Sequence, residues 1–390
     1  MSRYIATPIR ELGTVVTGKT PKTSEKHYYN GEYMFITPVE LHDGYNITIS
    51  EKTITEAGLN SISSNSICGT SVLVGCIGWD MGNVAMCHER CATNQQINAI
   101  TKFKPQYNPY YTYYWLSQKK EYLFSIASVT RTPILSKGTF EEVEIPMPLK
   151  NIQDSVVDVL RSFDEKIAVN KCICSELYSV AEALYDYWFT QFDFPNEEGK
   201  PYRSSGGEMV WNDQLKREIP KGWDVTTMAS LAPVLTGKED ANFSTSNGNY
   251  KFFTCAQETM RCDTPAFSGH AVLIAGNGDF NVKHFTGSFN AYQRTYVLMP
   301  KEAKHYAVMY IAAQKRIQAF KQGANGSIVK FITKGDVENI PIILPDNDSL
   351  LNTLNQILEK IEHCERENDE LKKLRDWLLP MLMNGQAIAE

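Results

Sequence analysis

What this sequence lacks excludes several classes of protein. The chain of 390 residues contains no run of 18 apolar residues, so no segment has the composition of a membrane-spanning helix. Its start, MSRYIATPIREL, has no apolar core of the kind that a secretory signal peptide needs. We therefore expect a cytoplasmic protein, and the length favours two or three domains.

Regularly spaced cysteines are also missing. The nine cysteines are an odd number without a repeated spacing, which in a cytoplasmic chain predicts reduced and mostly buried thiols. Cys87, His88 and Cys91 could be metal ligands, but no second closely spaced pair follows, so we predict no metal site. The histidines between 270 and 305 have no serine or cysteine at a recognisable nucleophile turn, and hydrolase chemistry has no support.

A strong net charge is lacking as well, because opposite local charges offset each other. The chain carries −6 overall, yet segments 151–199 and 346–390 together hold 8 basic and 20 acidic residues. The other two segments, 1–150 and 200–345, hold 31 basic and 25 acidic residues. A nucleic-acid partner for the mildly basic segments is therefore compatible with the acidic total.

Two long stretches carry the spacing of a coiled coil. The first seam is Val156, Leu160, Phe163, Ile167, Asn170, Cys174, Leu177, Ala181, Leu184 and Trp188. The second, 194 residues later, is Leu350, Leu354, Ile357, Ile361, Cys364, Asn368, Leu371, Arg375, Leu378 and Leu382. Steps of 4 and 3 predict two long helices, and their apolar members are the expected helix-pairing residues. Each seam contains an Asn that would fix register, although the offset aligns Asn170 with Cys364 and Cys174 with Asn368.

The segment before each long helix shares sequence patterns with the other, which indicates an internal repeat. Residues 1–150 predict short strands at MFIT, SVLVGCIG and INAITKF and a helix from about Asn108. VLTGK, YKFFT, HAVLIAGNGDFN and ITKGDVENIPIILP then repeat VVTGK, YMFIT, TSVLVGCIGWDMGN and LSKGTFEEVEIPMP. A globular head followed by a long helix therefore occurs twice.

This repeat predicts an α+β fold of two mixed α/β heads separated by two long helices. The helices form an antiparallel coiled coil, and a pseudo-twofold axis relates the halves. We place the heads at 1–150 and 224–345, the helices at 151–190 and 346–390, and a connector at 191–223. The connector holds Phe192, Phe194, Trp211 and Trp223, so we expect it to pack on a surface.

A pseudo-twofold protein matches the symmetry of a DNA duplex read at two half-sites. From Val156 to Trp188 the first helix would span about 48 Å at 1.5 Å per residue. Head centres roughly 50 Å apart correspond to about 15 base pairs, so an unread gap would separate the half-sites.

Two short motifs suggest enzymes but have simpler interpretations. GTVVTGKT at 13–20 satisfies the phosphate-loop pattern, yet no buried strand precedes it and Pro21 does not suit a following helix. We interpret it as a basic surface loop. NPYY at 108–111 resembles the tetrapeptide with which amino-methyltransferases hold a flipped base, but the glycine-rich cofactor loop is not evident. We interpret Asn108 as a helix cap with Pro109 at the first helical position.

Polar loops of the heads supply the candidate DNA contacts, because their side chains match base edges and phosphates. In the first head these are Lys19, Lys22, Lys26, Trp79, Asn83, Thr130, Arg131 and Thr132. In the second they are Lys238, Asn277, Asn281, Lys283, Arg294, Lys321 and Asn325. We assign no catalytic and no metal-binding residue.

The alternation of head and helix, with FDFPNEEGKPYRSSGGEMVWNDQLKREIPKGW between and LKKLRDWLLPMLMNGQ at the end, resembles the DNA-specificity subunit of Type I restriction-modification systems. The resemblance covers essentially the whole chain. It implies a non-catalytic subunit whose heads are target-recognition domains for double-stranded DNA.

The same resemblance implies the partners. The helices would bind two modification subunits that carry S-adenosylmethionine and methylate adenine, and restriction subunits that use ATP and magnesium would join them. Two alternatives remain open on the residues alone: a self-contained adenine methyltransferase using residues 108–111, and a scaffold whose heads bind proteins.

Overall fold

The chain folds into two compact units. The structure, a computed structural model, describes residues 4–129, 131–278, 280–323 and 331–386. The first unit comprises residues 1–168 and 369–390, and the second comprises residues 169–368. Both unit boundaries fall inside the two long helices, so each unit contains a head together with part of each helix. Among the described residues, no helix is long and apolar enough to span a membrane.

The first head, residues 4–149, is a mixed α/β domain. Its strands are β1 (Ile5–Pro8), β2 (Thr14–Thr17), β3 (Tyr29–Ile36), β4 (Lys52–Ile54), β5 (Ser66–Ile67), β6 (Ser71–Gly75), β7 (Val84–Cys87), β8 (Cys91–Thr93), β9 (Ile97–Thr101), β10 (Ser128–Val129), β11 (Pro133–Ile134) and β12 (Glu144–Met147). Its helices are α1 (Ile9–Leu12), α2 (Glu56–Ser61), α3 (Pro109–Ser117), α4 (Lys120–Ser125) and α5 (Lys137–Glu141), and α6 (Lys150–Tyr185) follows.

A four-stranded antiparallel sheet in the order β2-β9-β6-β7 forms the centre of this head. Every residue of β6 and β9 is buried, as the apolar runs SVLVG and INAIT require. A second sheet, β4-β3-β8-β5, and the pairs β1-β12 and β10-β11 surround it. Val72, Ile100 and Tyr111 share one hydrophobic core with Leu160 of α6 and with Leu382 near the chain end, so the head packs directly on the helices.

The second unit begins within α6 and continues through a π-helical turn at Asp186–Thr190. Its strands are β13 (Met209–Asn212), β14 (Arg217–Pro220), β15 (Asp224–Thr227), β16 (Val234–Thr236), β17 (Tyr250–Phe253), β18 (Met260–Cys262), β19 (Phe267–Ala275), β20 (Val282–Ala291), β21 (Thr295–Leu298) and β22 (Pro341–Leu344). Its helices are α7 (Met228–Leu231), α8 (Tyr306–Gly323), α9 (Lys334–Glu338) and the start of α10 (Ser349–Met383).

The second head, residues 224–345, repeats the central sheet of the first. Strands β16-β21-β19-β20 have the order and pairing of β2-β9-β6-β7, and Val272 pairs with Leu298 as Val72 pairs with Ile100. Here β17 joins the same sheet beside β20, and β18 pairs with β17, which gives six strands, whereas the counterpart β3 belongs to a separate sheet. The structure therefore confirms the predicted repeat of mixed α/β heads and long helices.

The connector packs onto the second unit, as its aromatic residues predict. Phe192, Phe194 and Trp223 are buried in the core of that unit, and the rings of Phe194 and Trp223 stack 4.7 Å apart. Strands β13 and β14 form a hairpin on which Trp211 is 61% exposed.

The helix seam is wider than the predicted one. Leu160, Ile167, Leu354 and Ile361 are buried, and Phe163, Leu177, Leu184, Ile357, Leu371 and Leu378 are half-buried. Leu358 and Leu379, one position beyond predicted seam residues, are almost fully buried because they belong to the cores that the heads share with the helices. The heads therefore bury the apolar residues beside the seam, such as Leu358 and Leu379, that the facing helix does not cover.

The two seam asparagines contact each other. The side-chain nitrogen of Asn170 donates to Oδ1 of Asn368 at 3.0 Å and to Oε2 of Glu367 at 2.7 Å. Four residues further along α6, the thiol of Cys174 contacts the carbonyl of Ile361. Residue numbers rise along α6 as they fall along α10, so within the second unit these helices are antiparallel.

The 194-residue offset aligns Asn170 with Cys364 and Cys174 with Asn368, and in the structure these four residues form two interacting pairs. Cys174 and Cys364, the repeat counterparts of Asn368 and Asn170, also interact: burial and then the Cys364 side chain raise the pKa of the Cys174 thiol to about 11. One polar pair and one thiol pair therefore occupy the layers that the repeat makes equivalent.

Each head is attached to its helices by a buried carboxylate. In the first unit, the Tyr114 hydroxyl donates to Asp164 at 2.6 Å and Arg375 donates to the same carboxylate at 2.5 Å. In the second unit, the Tyr306 hydroxyl donates to Glu362 at 2.7 Å, and a ring nitrogen of His284 lies 3.0 Å from the same oxygen.

The Asp164 cluster yields a stability prediction. Arg375→Ala leaves the carboxylate of Asp164, which is 3% exposed, without its cation. We expect the free energy of unfolding to fall by about 2–3 kcal/mol, somewhat below the ~3–5 kcal/mol typical of a broken buried pair, because Tyr114 still donates. Urea denaturation followed by circular dichroism measures the change.

Lys137→Ala is the matched control, since it removes an exposed pair with Glu141 in the same unit and should cost less than about 0.5 kcal/mol. Equal effects of the two substitutions would show that the buried pair does not stabilise the head on its helices.

Candidate nucleic-acid interface

Four segments meet at one end of the central sheet in each head. The first loop cluster consists of residues 18–20, 76–79, 94–96 and 133–137. The second loop cluster consists of residues 237–239, 276–278, 292–294 and 331–334. Each cluster lies where β2, β6 and β9, or their counterparts β16, β19 and β21, enter or leave the sheet.

The same backbone hydrogen bonds hold both clusters. In the first, the Gly18 amide donates to the carbonyl of Ile97 at 3.0 Å, Cys76 to Gln96 at 2.7 Å, and Leu135 to Cys76 at 2.9 Å. The second repeats these bonds: Gly237 donates to Thr295 at 3.1 Å, Gly276 to Arg294 at 2.9 Å, and Ile332 to Gly276 at 2.8 Å. The two clusters therefore share one backbone frame.

The shared TGK sequence has a steric explanation. A Cβ on Gly18 would lie 2.1 Å from the carbonyl oxygen of Asn94, and one on Gly237 would lie 2.1 Å from that of Ala291. Only glycine permits this approach of two backbones. Lys19 and Lys238 follow directly and are exposed.

The phosphate-loop interpretation of residues 13–20 fails on its structural requirement. Strand β2 occupies Thr14–Thr17, and the next helical element is a single 3-10 turn at Lys26–Tyr28, so the loop does not lead directly into an α-helix as a phosphate loop does. The simpler interpretation, a basic surface loop, agrees with the exposure of Lys19.

The second loop cluster encloses an open cleft of about 620 Å³. Its polar lining includes Asn277, Gln293, Arg294 and Lys334, and Phe331 at its edge is 64% exposed. Among the nearby acids, Asp240 accepts a hydrogen bond from Gln293 at 2.7 Å. Asp336 caps α9, and the hydrogen bonds from Thr333 lower the pKa of its carboxyl. Lys334 pairs with Glu338 at 3.5 Å, so Arg294 is the cation of the cleft that has no carboxylate partner among the described residues.

The first loop cluster presents an aromatic ring. Trp79 is 70% exposed, and its ring lies 6.0 Å from that of Phe124. Its loop is fixed by Lys120, whose ammonium donates to Asp80 at 2.6 Å and to Asn83 at 2.8 Å. The hydrogen bond from Lys120 lowers the pKa of the Asp80 carboxyl. An exposed ring on a braced loop can contact a ligand without first being ordered.

The predicted contact residues divide by exposure. Lys19, Lys22, Lys26, Trp79, Arg131, Thr132, Lys238 and Arg294 are exposed, and Asn83, Asn277, Asn281 and Lys283 are half-buried. Thr130 and Asn325 lie outside the described residues, and of Lys321 only the helical backbone is described.

Only some of these residues are free to contact a ligand. The structure brings Asn277 and Arg294 into one cleft. In contrast, the Asn281 amide donates to the carbonyl of Cys255 at 2.8 Å, and the Lys283 ammonium donates to that of Ala256 at 2.6 Å. Burial lowers the pKa of Lys283. These two side chains hold a neighbouring loop.

Sequence reasoning missed several members of the clusters, among them Gln95, Gln96, Gln293, Phe331 and Lys334. INAIT at 97–101 and TYVLM at 295–299 share strand position but little identity, so the repeat is visible there only through strand pairing. An alignment of the two heads by their buried strands, not by residue identity, would have identified the positions that directly precede β9 and β21.

The NPYY segment is a helix cap, as its simpler interpretation predicts. The Asn108 side chain accepts from the Tyr110 amide at 2.9 Å, and Pro109 is the first residue of α3. Asn108 also donates to Asp154 at 2.7 Å. Tyr111 is fully buried, so it cannot stack on a flipped base.

The thiols near His88 make contacts within the first head. The sulfurs of Cys87 and Cys91 lie 3.6 Å apart, and the two ring nitrogens of His88 lie 3.1 Å from the Thr70 hydroxyl and 3.3 Å from the Tyr110 hydroxyl. No group of three or more potential metal ligands occurs among the described residues.

Comparison with known proteins assigns the repeat to a family. Residues 6–178 and 220–373 match the family model described as the Type I restriction modification DNA specificity domain. Each match contains one head and much of the helix that follows it, which agrees with the repeated unit.

Two curated relatives bear similar names. Over 180 residues the chain is 34% identical to the Type I restriction enzyme EcoDI specificity subunit of Escherichia coli. The aligned region covers 44% of this chain and 40% of the relative. It is 27% identical to the MjaIX specificity subunit of Methanocaldococcus jannaschii over 98% of this chain and 93% of the relative. These matches confirm the family that the sequence resembles.

A solved structure shows the same fold. The S subunit of a Type I restriction-modification system from M. genitalium superposes with a TM-score of 0.59 at 16% identity, covering 97% of this chain and 96% of that one.

The backbone frame yields a prediction about Gly18. Gly18→Ala should lower the free energy of unfolding by about 1–3 kcal/mol, because the added methyl group collides with backbone that cannot move aside. Thermal or urea unfolding of the purified chain measures it.

Gly138→Ala in α5 is the control, since its Cβ would meet no atom closer than 4.0 Å and alanine favours a helix by about 0.5–1 kcal/mol. If both variants were equally stable, the close approach at Gly18 would not be a constraint.

Proposed function

The chain belongs to the family of Type I restriction-modification DNA specificity domains, and we propose that it reads a bipartite DNA target, one half-site per head. The observation that carries this proposal is the pair of loop clusters: one backbone frame, occurring twice, presents different exposed side chains. A protein that reads two different short sequences needs this combination.

The side chains of the clusters suit a DNA duplex. Lys19 and Lys238 occupy equivalent exposed positions, and ammonium groups there can contact phosphates in both half-sites. Gln, Asn and Arg carry the donors and acceptors that match base edges in the major groove. Trp79 and Phe331 offer apolar contact to bases.

We propose further that the long helices set the gap between half-sites and bind two modification subunits. Support comes from apolar side chains that the heads leave uncovered: Val169, Ile173 and Val180 on α6 and Leu374 and Trp377 on α10 are each at least 40% exposed. S-adenosylmethionine would be bound by those partners, and ATP and magnesium by restriction subunits. The assembly would act in the cytoplasm, and this chain supplies no catalytic group.

Adenine mapping tests the proposal. Long-read sequencing locates methylated adenines in cells that express the chain with and without its modification subunit. We expect a split motif, two short half-sites around a fixed gap, only when both proteins are present. Methylation by the chain alone would make it a methyltransferase and overturn the non-catalytic role.

Salt dependence separates a DNA reader from a protein-binding scaffold. If the complex of this chain with its modification subunit contacts 6–10 phosphates, its affinity should fall about 10³–10⁵-fold between 50 and 200 mM salt. Lys19→Ala and Lys238→Ala should each reduce the slope of log K against log salt by about 1.

Lys216→Ala, at an exposed position of the β13-β14 hairpin, should leave the slope unchanged. A complex whose DNA affinity is weak and independent of salt would favour the scaffold.

A further inference from the structure

One backbone position occurs in both loop clusters with a different side chain. Gln96 directly precedes β9, and Arg294 directly precedes β21. The carbonyl of each accepts the equivalent hydrogen bond, from Cys76 in the first head and from Gly276 in the second. The preceding residue is glutamine in both heads.

The position is held rigidly. It lies at the end of the second strand of each central sheet, between two hydrogen-bonded neighbours. The backbone just before it packs closely against Gly18 in the first head and against Gly237 in the second. The shared glutamines brace it from the side, since Gln95 accepts from the Thr20 hydroxyl at 2.9 Å and Gln293 donates to Asp240 at 2.7 Å. Side chains on such supports are presented with little freedom to adjust.

Arg294 is poised for an external partner. It is exposed, lines the cleft of the second loop cluster with Asn277 and Lys334, and forms no ion pair with a carboxylate among the described residues. Gln96 is half-buried, and its Oε1 accepts from the Asn94 amide at 2.9 Å. That oxygen keeps a second lone pair, and the amide nitrogen keeps its two donor hydrogens.

We infer that Gln96 and Arg294 are corresponding specificity-determining residues, each reading one base of its head's half-site. Arg294 reads a guanine, because its two donors match the O6 and N7 acceptors of that base in the major groove. Gln96 reads an adenine, because its oxygen accepts from N6 and its nitrogen donates to N7. This inference rests on the proposed function and names the base class at one position of each half-site.

Reciprocal substitutions test the inference. The complex of the full chain with its modification subunit is titrated against duplexes in which each base pair of the mapped target is varied in turn. We expect Arg294→Gln to reduce the preference for guanine at one position of the second head's half-site by about 5- to 150-fold, and to favour adenine there. The other half-site should be unchanged. Gln96→Arg should produce the opposite change in the first head's half-site.

Two variants separate base reading from simple charge. Lys334→Gln removes one cation from the same cleft and should weaken binding to every duplex by a common factor. Arg294→Lys keeps the charge and an ammonium that can still donate to guanine, but it loses the planar two-donor geometry, so it should keep the salt dependence and show a weaker guanine preference. Arg294 is exposed and unpaired among described residues, so its variants should retain the wild-type melting temperature.

The outcomes are distinguishable. If wild type gives a split motif and Arg294→Gln weakens all duplexes equally, the inference is wrong and the proposed function stands. If wild type gives no split motif and no salt-dependent binding, the proposed function fails and the inference fails with it.

Discussion

Two long helices with a narrow apolar stripe depend on being covered. Helix α6 has 36 residues and α10 has 35, and neither stripe is wide enough to stabilise an isolated helix. The cover comes from two sources at once: the facing helix and the head. Leu358 and Leu379 show this, since each lies beside the predicted seam and is buried in a core that includes a head. A head and its stretch of helix therefore stabilise each other.

The heads meet the helices through different buried carboxylates, although their sheets are equivalent. Asp164 accepts hydrogen bonds from Tyr114 and Arg375. Glu362 accepts one from Tyr306 and lies beside His284. Burial opposes ionisation of Glu362, but hydrogen bonds from His284, Tyr306 and Thr286 outweigh it and lower the pKa of that carboxyl. A buried carboxylate is destabilising unless its partners are placed to pair and hydrogen-bond with it. The polar contact between head and helices is therefore specific to each unit, whereas apolar packing occurs in both.

The sequence predicts the parts of this fold that depend on periodicity. The seams, the strands β3, β6 and β9, and the capped start of α3 all follow from local spacing and residue type. The width of the helix stripe could not be predicted, because the burial of Leu358 depends on where a distant head packs. For the candidate site, TGK in both heads predicts one segment of each loop cluster, and residue type alone predicts Arg294 and Asn277, which line one cleft. Gln96 was missed because its equivalence to Arg294 depends on strand pairing.

A shared frame with variable side chains would allow the two heads to read different bases. The constraints on the frame are steric and backbone-directed: Gly18 and Gly237 must lack a Cβ, and the carbonyls of residues 96 and 294 must accept an amide. Neither constraint restricts the side chain at 96 or 294, which directly precedes an inner strand of its sheet. A substitution there changes the donors and acceptors offered to DNA without changing the support beneath them. The exposed Arg294 can therefore be replaced without loss of packing, whereas replacement of Gln96 removes its hydrogen bond with Asn94, and replacement of Gly18 distorts the frame itself.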